Sequence, residues 1–454
     1  MDKLPCSIVA IIKQTSFGQK RCMSRLEYLT KKQDNPFYLT IAPVSPHVEI
    51  PGLPVPLARH AKDFPNATAP QGKNFNPSDA LTAQKPSWLK KLPLMEESDI
   101  TRANEHYRHR IRALQGVDEI VQDTVDFLDK TNILNNTYII YSTDNGYHLG
   151  QHRVNAGKTL PYIEDTNVPF IVRGPKIPAN KTSRLPGAHL DLAPTFLEIA
   201  GLDKEQYPAY LDGRSLLSDW HNPTQPANDS NSHDIINVEF WGSAGIEAPG
   251  KNRSANNTYK TLRVVNENNS WLYSKWCTGD RELYNTKTDP FELHNLALNF
   301  AKDGEHNRLI QRLDALLLVT KSCNQDTCRN PWTVLQSTCH KDDSCPHSGA
   351  ILNSLDVAMD SKYDKFFASL PKVQFKECLN IQLVSNEQPF LPASSAALQK
   401  DYRTNTDHFK SPVHPGTKVP PNEVNQGTVN QRHTTIEEME KKSRKLTPAE
   451  LGQS

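Results

Sequence analysis

The run Tyr138-Ile139-Ile140-Tyr141-Ser142-Thr143-Asp144-Asn145-Gly146 constrains the fold more than any other stretch of this chain. Its apolar and β-branched opening reads as a strand covered on both faces, and Gly146 lets the chain turn immediately after the polar pair. In open α/β sheets the carboxyl edges of such strands hold the chemistry. The Asp144 carboxylate and the Asn145 side-chain carbonyl are hard oxygen donors, suited to a calcium- or magnesium-type cation rather than zinc. Asx-Gly turns are common in their own right, so these three letters do not make a metal site without support from elsewhere.

The surrounding pattern supplies an α/β frame. Pro36 to Ala42 reads as a strand stopped by Pro43-Val44-Ser45-Pro46, whose prolines fix a loop carrying His47. Residues 59–101 are rich in Pro, Asn and Lys and form a long loop region. Ile111, Leu114, Val121, Val125 and Leu128 recur at helical spacing, which predicts an amphipathic helix over about 102–130. Strands at 138–142 and 168–172 and a helix over 191–200 follow, with Lys158 in the loop between the two strands. This alternation predicts a largely parallel sheet with helices on both faces. Beyond Pro223, shorter aromatic-rich strands at 235–241, 259–265 and 271–276 predict a smaller α+β subdomain. The expected organisation is 1–225 for the α/β domain, 226–380 for the subdomain, and 381–454 for a polar, disordered tail.

Composition narrows the functional classes. The 52 Lys plus Arg balance 51 Asp plus Glu, so the chain has no general attraction to nucleic acid or acidic membrane. No run of apolar residues is long enough to span a bilayer. The segment Met1-Asp2-Lys3 to Ile12 makes a poor signal peptide, with an acidic residue in front and no clear cleavage site. Glycosylation sequons begin at Asn66, Asn135, Asn180, Asn228, Asn252, Asn256 and Asn268, which points to a secreted glycoprotein. Cys277, Cys323, Cys328, Cys339, Cys345 and Cys378 form an even set that reads as disulfides of undefined connectivity. The competing zinc reading lacks the C-x2-C spacing.

Several segments share a wording. Pro36-Phe37-Tyr38-Leu39-Thr40-Ile41-Ala42-Pro43-Val44-Ser45-Pro46-His47-Val48 and Thr143-Asp144-Asn145-Gly146-Tyr147-His148-Leu149-Gly150-Gln151-His152 resemble the pre-histidine and metal segments of the sulfatase family. Val168-Pro169-Phe170-Ile171-Val172-Arg173-Gly174-Pro175 and Leu190-Asp191-Leu192-Ala193-Pro194-Thr195 fit in the same order. Phe64-Pro65-Asn66 with Asn74-Phe75-Asn76 resembles the branch of fungal arylsulfatases and glucosamine-6-sulfatases. The resemblance spans about residues 30–220.

It implies an alkaline-phosphatase-like fold and calcium-dependent hydrolysis of aryl or sugar sulfate esters, with a formylglycine nucleophile made from cysteine. By carry-over, Asp144 and Asn145 would ligate Ca2+, Lys158 would hold the sulfate, and His47 would contact the sulfate or assist the departing alcohol. His148, His152 and Arg153 would lie near that site. The same resemblance expects paired aspartates and a C-x-P-x-R motif upstream of residue 36. Cys22-Met23-Ser24-Arg25 lacks the proline and Cys6-Ser7-Ile8-Val9-Ala10 lacks both landmarks, so no nucleophile is assigned. The expectation is the later part of an arylsulfatase-like hydrolase. The alternatives are a non-catalytic sulfatase-fold binding protein and a phosphodiester or phosphonate hydrolase of the same superfamily.

Overall fold

A computed structural model describes residues 23–24, 26–30, 36–49, 52–224, 234–247, 255–299, 304–339, 345–346, 351–375 and 377–379. Cys6, Cys22, Asn228, Asn252 and the expected tail 381–454 lie outside them. The predicted amphipathic run forms one helix, α1 (Glu97–Lys130), which starts ahead of its apolar stripe because Glu96 and Asp99 make a reciprocal capping box. At its beginning Ala103 packs with Ala69, Leu149 and Ala156. At its end Leu128 packs with Leu26, Phe37, Leu39 and Leu134.

The segment expected as a strand over 36–42 does not form one. Phe37 and Leu39 alternate into the cluster around Leu128, but no described strand pairs with their backbone. A helix end offers side chains to pack on and no ladder to join.

Three strands belong to the sheet region: β1 (Ile139–Tyr141), β2 (Gly157–Lys158) and β3 (Ile171–Arg173). β1 pairs with β3 antiparallel, with Ile140 opposite Val172. The mixed α/β class holds, but every strand pair among the described residues is antiparallel, against the expectation of a mostly parallel sheet. Parallel neighbours need a long crossover, usually a full helix, and the connection from β1 to β3, which includes β2, has no helix beyond the turn Ile163–Thr166. Nor is β1 covered on both faces. It is half-buried throughout, and Ile171 on its partner is 62% exposed. Helix α2 (Leu192–Ile199) follows and packs Ile199 with Tyr138 and Leu217.

The later strands are β4 (Ile235–Phe240), β5 (Gly245–Ile246), β6 (Tyr259–Val265), β7 (Ser270–Trp276) and β8 (Arg281–Asn285). Four of them form an antiparallel sheet in the order β4-β6-β7-β8, while β5 pairs with β2. Successive side chains point to opposite faces. Leu262, Val264, Tyr273 and Leu283 face helices α3 (Gly304–Thr320), α4 (Pro331–Cys339) and α5 (Asp364–Ser369), meeting Leu313, Leu317, Leu335 and Phe366. Tyr259, Leu272, Trp276 and Tyr284 pack the other way, onto Leu89, Val154, Leu160 and Tyr162. The expected subdomain is therefore a wall shared with the first half of the chain.

All six cysteines of the second half are paired, as Cys277–Cys378, Cys323–Cys328 and Cys339–Cys345, which removes the thiolates a zinc site would need. The five described sequon asparagines, Asn66, Asn135, Asn180, Asn256 and Asn268, are exposed. Cys277–Cys378 spans 101 residues and Cys323–Cys328 only 5. In the loop-entropy account the long closure is worth about 4.7 kcal/mol and the short one about 2 kcal/mol. Paired Cys→Ser replacement should lower the urea midpoint more for Cys277 and Cys378 than for Cys323 and Cys328; the reverse order would show that unfolded-chain entropy is not the governing effect.

Candidate functional site

Helix α1 fixes one side of the site by clamping loop carbonyls. Arg110 Nη1 donates to Pro46 O at 3.2 Å, His109 Nδ1 to Pro54 O at 2.9 Å, Arg108 Nη1 to Ala67 O at 3.1 Å and Arg112 Nε to Asp63 O at 2.6 Å. The first of these ties down the residue immediately before His47.

His47 Nδ1 lies 2.9 Å from Val48 O, and a carbonyl only accepts, so Nδ1 carries the proton. The neutral ring then keeps its lone pair on Nε2, which sits 3.5 Å from Lys158 Nζ. Two of the residues picked out by motif are thus brought together from 111 positions apart.

Lys158 was expected in a loop and instead lies on β2, whose partner β5 sets Lys158 opposite Gly245. Gly157 is needed there, since a Cβ on it would meet Gly245 O at 2.1 Å. The neighbouring Glu247 places Oε1 3.9 Å from Lys158 Nζ and accepts a 2.6 Å hydrogen bond from Tyr147 Oη on Oε2. Arg110 lies over the Tyr147 ring, 3.8 Å from its centroid. Burial and then the Glu247 carboxylate raise the Tyr147 phenol, keeping it a donor. Burial and then Arg110 push His106 down to about 4, so this ring, 3.3 Å from Tyr147 Oη, is neutral at physiological pH.

Asp144 and Asn145 sit together on the turn after β1. Asp144 is exposed, and its Oδ1 accepts from Asn145 N at 2.9 Å. Asn145 commits its amide nitrogen to Gly146 O at 2.7 Å, which leaves the carbonyl oxygen as the end suited to a cation. The donor chemistry fits calcium but supplies only two of the about six to eight oxygens that calcium takes. The turn is held by Gly146 N to Asp165 O at 2.8 Å and Tyr147 N to Glu164 O at 2.7 Å. Among the described residues no hydrogen bond or ion pair joins this turn to His47 and Lys158.

His148, His152 and Arg153 are all buried. His148 bonds Asp165 at 2.8 Å, His152 packs its ring on Tyr162 at 4.2 Å, and Arg153 donates to Pro77 O at 2.7 Å and Leu92 O at 2.9 Å. None of the hydrogen bonds these three side chains make among the described residues reaches His47 or Lys158. Arg110, Tyr147 and Glu247 were missed. The run of basic residues at 108–112 on a helix was a signal for the first and adjacency to the Asp-Asn-Gly turn for the second, whereas nothing local marks Glu247.

A family description, sulfatase, matches residues 24–202. An arylsulfatase of Volvox carteri is 36% identical over 78% of this chain and 56% of its own length. A sulfatase of Metarhizium majus is 35% identical over 76% of this chain and 72% of its own. The N-acetylglucosamine-6-sulfatase of Homo sapiens is 33% identical over 67% of this chain and 56% of its own. The chain thus spans little more than half the length of the first and third of these relatives.

Two outcomes follow from the geometry. A Cβ on Gly146 would lie 1.8 Å from Glu164 O, a backbone atom, so Gly146→Ala should cost at least about 2 kcal/mol in denaturant unfolding; an unchanged midpoint would mean that the turn is not packed as described. His106 has a folded value of about 4 against 6.5 in the unfolded chain, so the unfolded state binds more protons between them. Stability should fall as pH drops through that window, and His106→Gln should flatten this slope in melts recorded from pH 7 to pH 4.

Proposed function

The chain belongs to the sulfatase family, and from that premise we propose that it carries the sulfate-ester-binding part of a calcium-dependent sulfuric ester hydrolase. The observation that carries this reading is the approach of Lys158 Nζ to within 3.5 Å of His47 Nε2. Lys158 neutralises the negative charge that a sulfate ester carries on its sulfuryl oxygens. His47 acts through Nε2, because its Nδ1–H is committed to Val48 O. When Nε2 carries a proton, it delivers that proton or a hydrogen bond to the departing alcohol oxygen. Arg110 positions this ring through the Pro46 carbonyl, and Glu247 orients the ammonium.

Asp144 and Asn145 would give two oxygens to Ca2+, which when bound supplies further neutralisation of sulfuryl charge. No cysteine in the chain begins C-x-P-x-R or C-x-A-x-R, so no nucleophilic step is assigned to any residue here. The arylsulfatase and glucosamine-sulfatase relatives support aryl and sugar sulfates as the substrate class. Exposed sequons support passage through the secretory pathway.

Calorimetric titration of the chain with 4-nitrophenyl sulfate in calcium tests the reading. Lys158→Ala and His47→Ala should each weaken binding at least tenfold, about 1.4 kcal/mol. Asp144→Ala should reproduce the loss caused by a calcium chelator. Unaltered affinity in the Lys158 variant rejects its role, and tighter binding of 4-nitrophenyl phosphate than of the sulfate moves the activity to phosphoesters.

A further inference from the structure

A second constellation lies away from the His47–Lys158 pair, where the first half of the chain meets the C-terminal sheet. His152 is 2% exposed, and neither of its ring nitrogens has a hydrogen-bond partner. Glu164 Oε2 is likewise buried and unpaired. One donor atom each from His152, Glu164 and Glu292 lie within 4.8 Å of one another. Buried polar atoms without partners are rare in native proteins, and a bound water or ion is among the things that satisfy them. Here two residues with such atoms, His152 on a loop and Glu164 on a helical turn, converge with Glu292 from the segment after β8.

We propose that His152, Glu164 and Glu292 form a buried site for a zinc-type divalent transition cation, distinct from Asp144 and Asn145. The donor set decides the metal class. One imidazole nitrogen and two carboxylates match sites in which three protein ligands leave a position for water, whereas calcium takes oxygen alone. Outer contacts already orient the carboxylates: Asn74 Nδ2 donates to Glu164 Oε1 at 2.7 Å, Arg263 Nη2 to Glu292 Oε1 at 2.7 Å, and Ile163 N to Glu292 Oε2 at 2.9 Å. Each carboxylate oxygen so engaged keeps a second lone pair.

Three carboxylates, Glu164, Glu282 and Glu292, and two cations, Lys85 and Arg263, share this region. A cation here would staple the segment 152–164 to the C-terminal sheet, so its role is structural.

The test uses the tag-free chain, stripped with chelator, dialysed against Zn2+ or Co2+ and assayed for metal by mass spectrometry. The expected results are about one equivalent of zinc, a raised melting temperature, and the visible absorption of four-coordinate Co2+. His152→Gln and Glu164→Gln should each weaken zinc binding by more than the about 10–100-fold typical of losing an outer contact, while Asp144→Ala keeps the zinc. Failure to retain zinc, preference for Ca2+, or full binding in the His152 variant overturns the proposal. If both variants unfold, the zinc absorption edge of the wild-type chain decides: an imidazole among oxygen ligands supports the site, and an all-oxygen or sulfur shell rejects it. The sulfate-titration result is independent of each outcome.

Discussion

The buried carboxylate of Glu282 is the constraint on which the two halves of the molecule depend. It is fully enclosed, and desolvation raises its pKa. A charge in that position is tolerable only with its partners in place. Tyr284 Oη at 2.6 Å, Tyr162 Oη at 2.7 Å and Trp276 Nε1 at 2.9 Å all donate to it, and Lys85 Nζ stands 3.9 Å away. Two of these donors come from the sheet itself. Tyr162 and Lys85 come from the first half of the chain, so separating the halves would strand both a buried carboxylate and a buried ammonium.

That dependence reaches the candidate site through Tyr162. The same segment carries Lys158 four residues earlier and Glu164 and Asp165 just after. Arg263 Nη2 donates to Pro161 O at 3.0 Å, and Asp165 accepts from Leu160 N at 2.8 Å and from His148. The ammonium of Lys158 is thus aimed by residues of the C-terminal sheet. His47 is aimed by α1 through the Pro46 carbonyl. The pair meets because two separately anchored loops converge, and its geometry is only as firm as the wall behind it.

Much of the architecture was legible, for reasons that differ by element. β6 appears over the residues its aromatic and β-branched composition marks, because a strand buried on both faces leaves a nearly continuous signal. The helix core of α1 followed its 3.6-residue stripe, but its start lay in the Glu96–Asp99 cap, inside a region that composition alone marks as loop. Residues 36–42 have strand letters and no strand partner among the described residues, since pairing is a property of neighbours. Among the described residues the strands pair antiparallel for the same reason: alternation of β and α letters implies parallel order only when the intervening helix is long enough to cross the sheet. Helix α3 and strand β8 went unassigned although α3 carries Leu309, Leu313, Leu316 and Leu317 at helical spacing.

The sequence by itself determined the family, the polar strand-end turn of Asp144 and Asn145, the even set of cysteines and the candidate residues His47 and Lys158. Each is a local pattern, written in neighbouring residues or in their spacing. Tertiary structure alone decided that His47 and Lys158 meet, that Glu247 joins them, that the cysteines pair as Cys277–Cys378, Cys323–Cys328 and Cys339–Cys345, and that His152 is buried beside Glu164 and Glu292. His47 and Lys158 lie 111 positions apart and Cys277 and Cys378 101 apart, and such contacts form only where packing brings distant segments together at a cost in chain entropy.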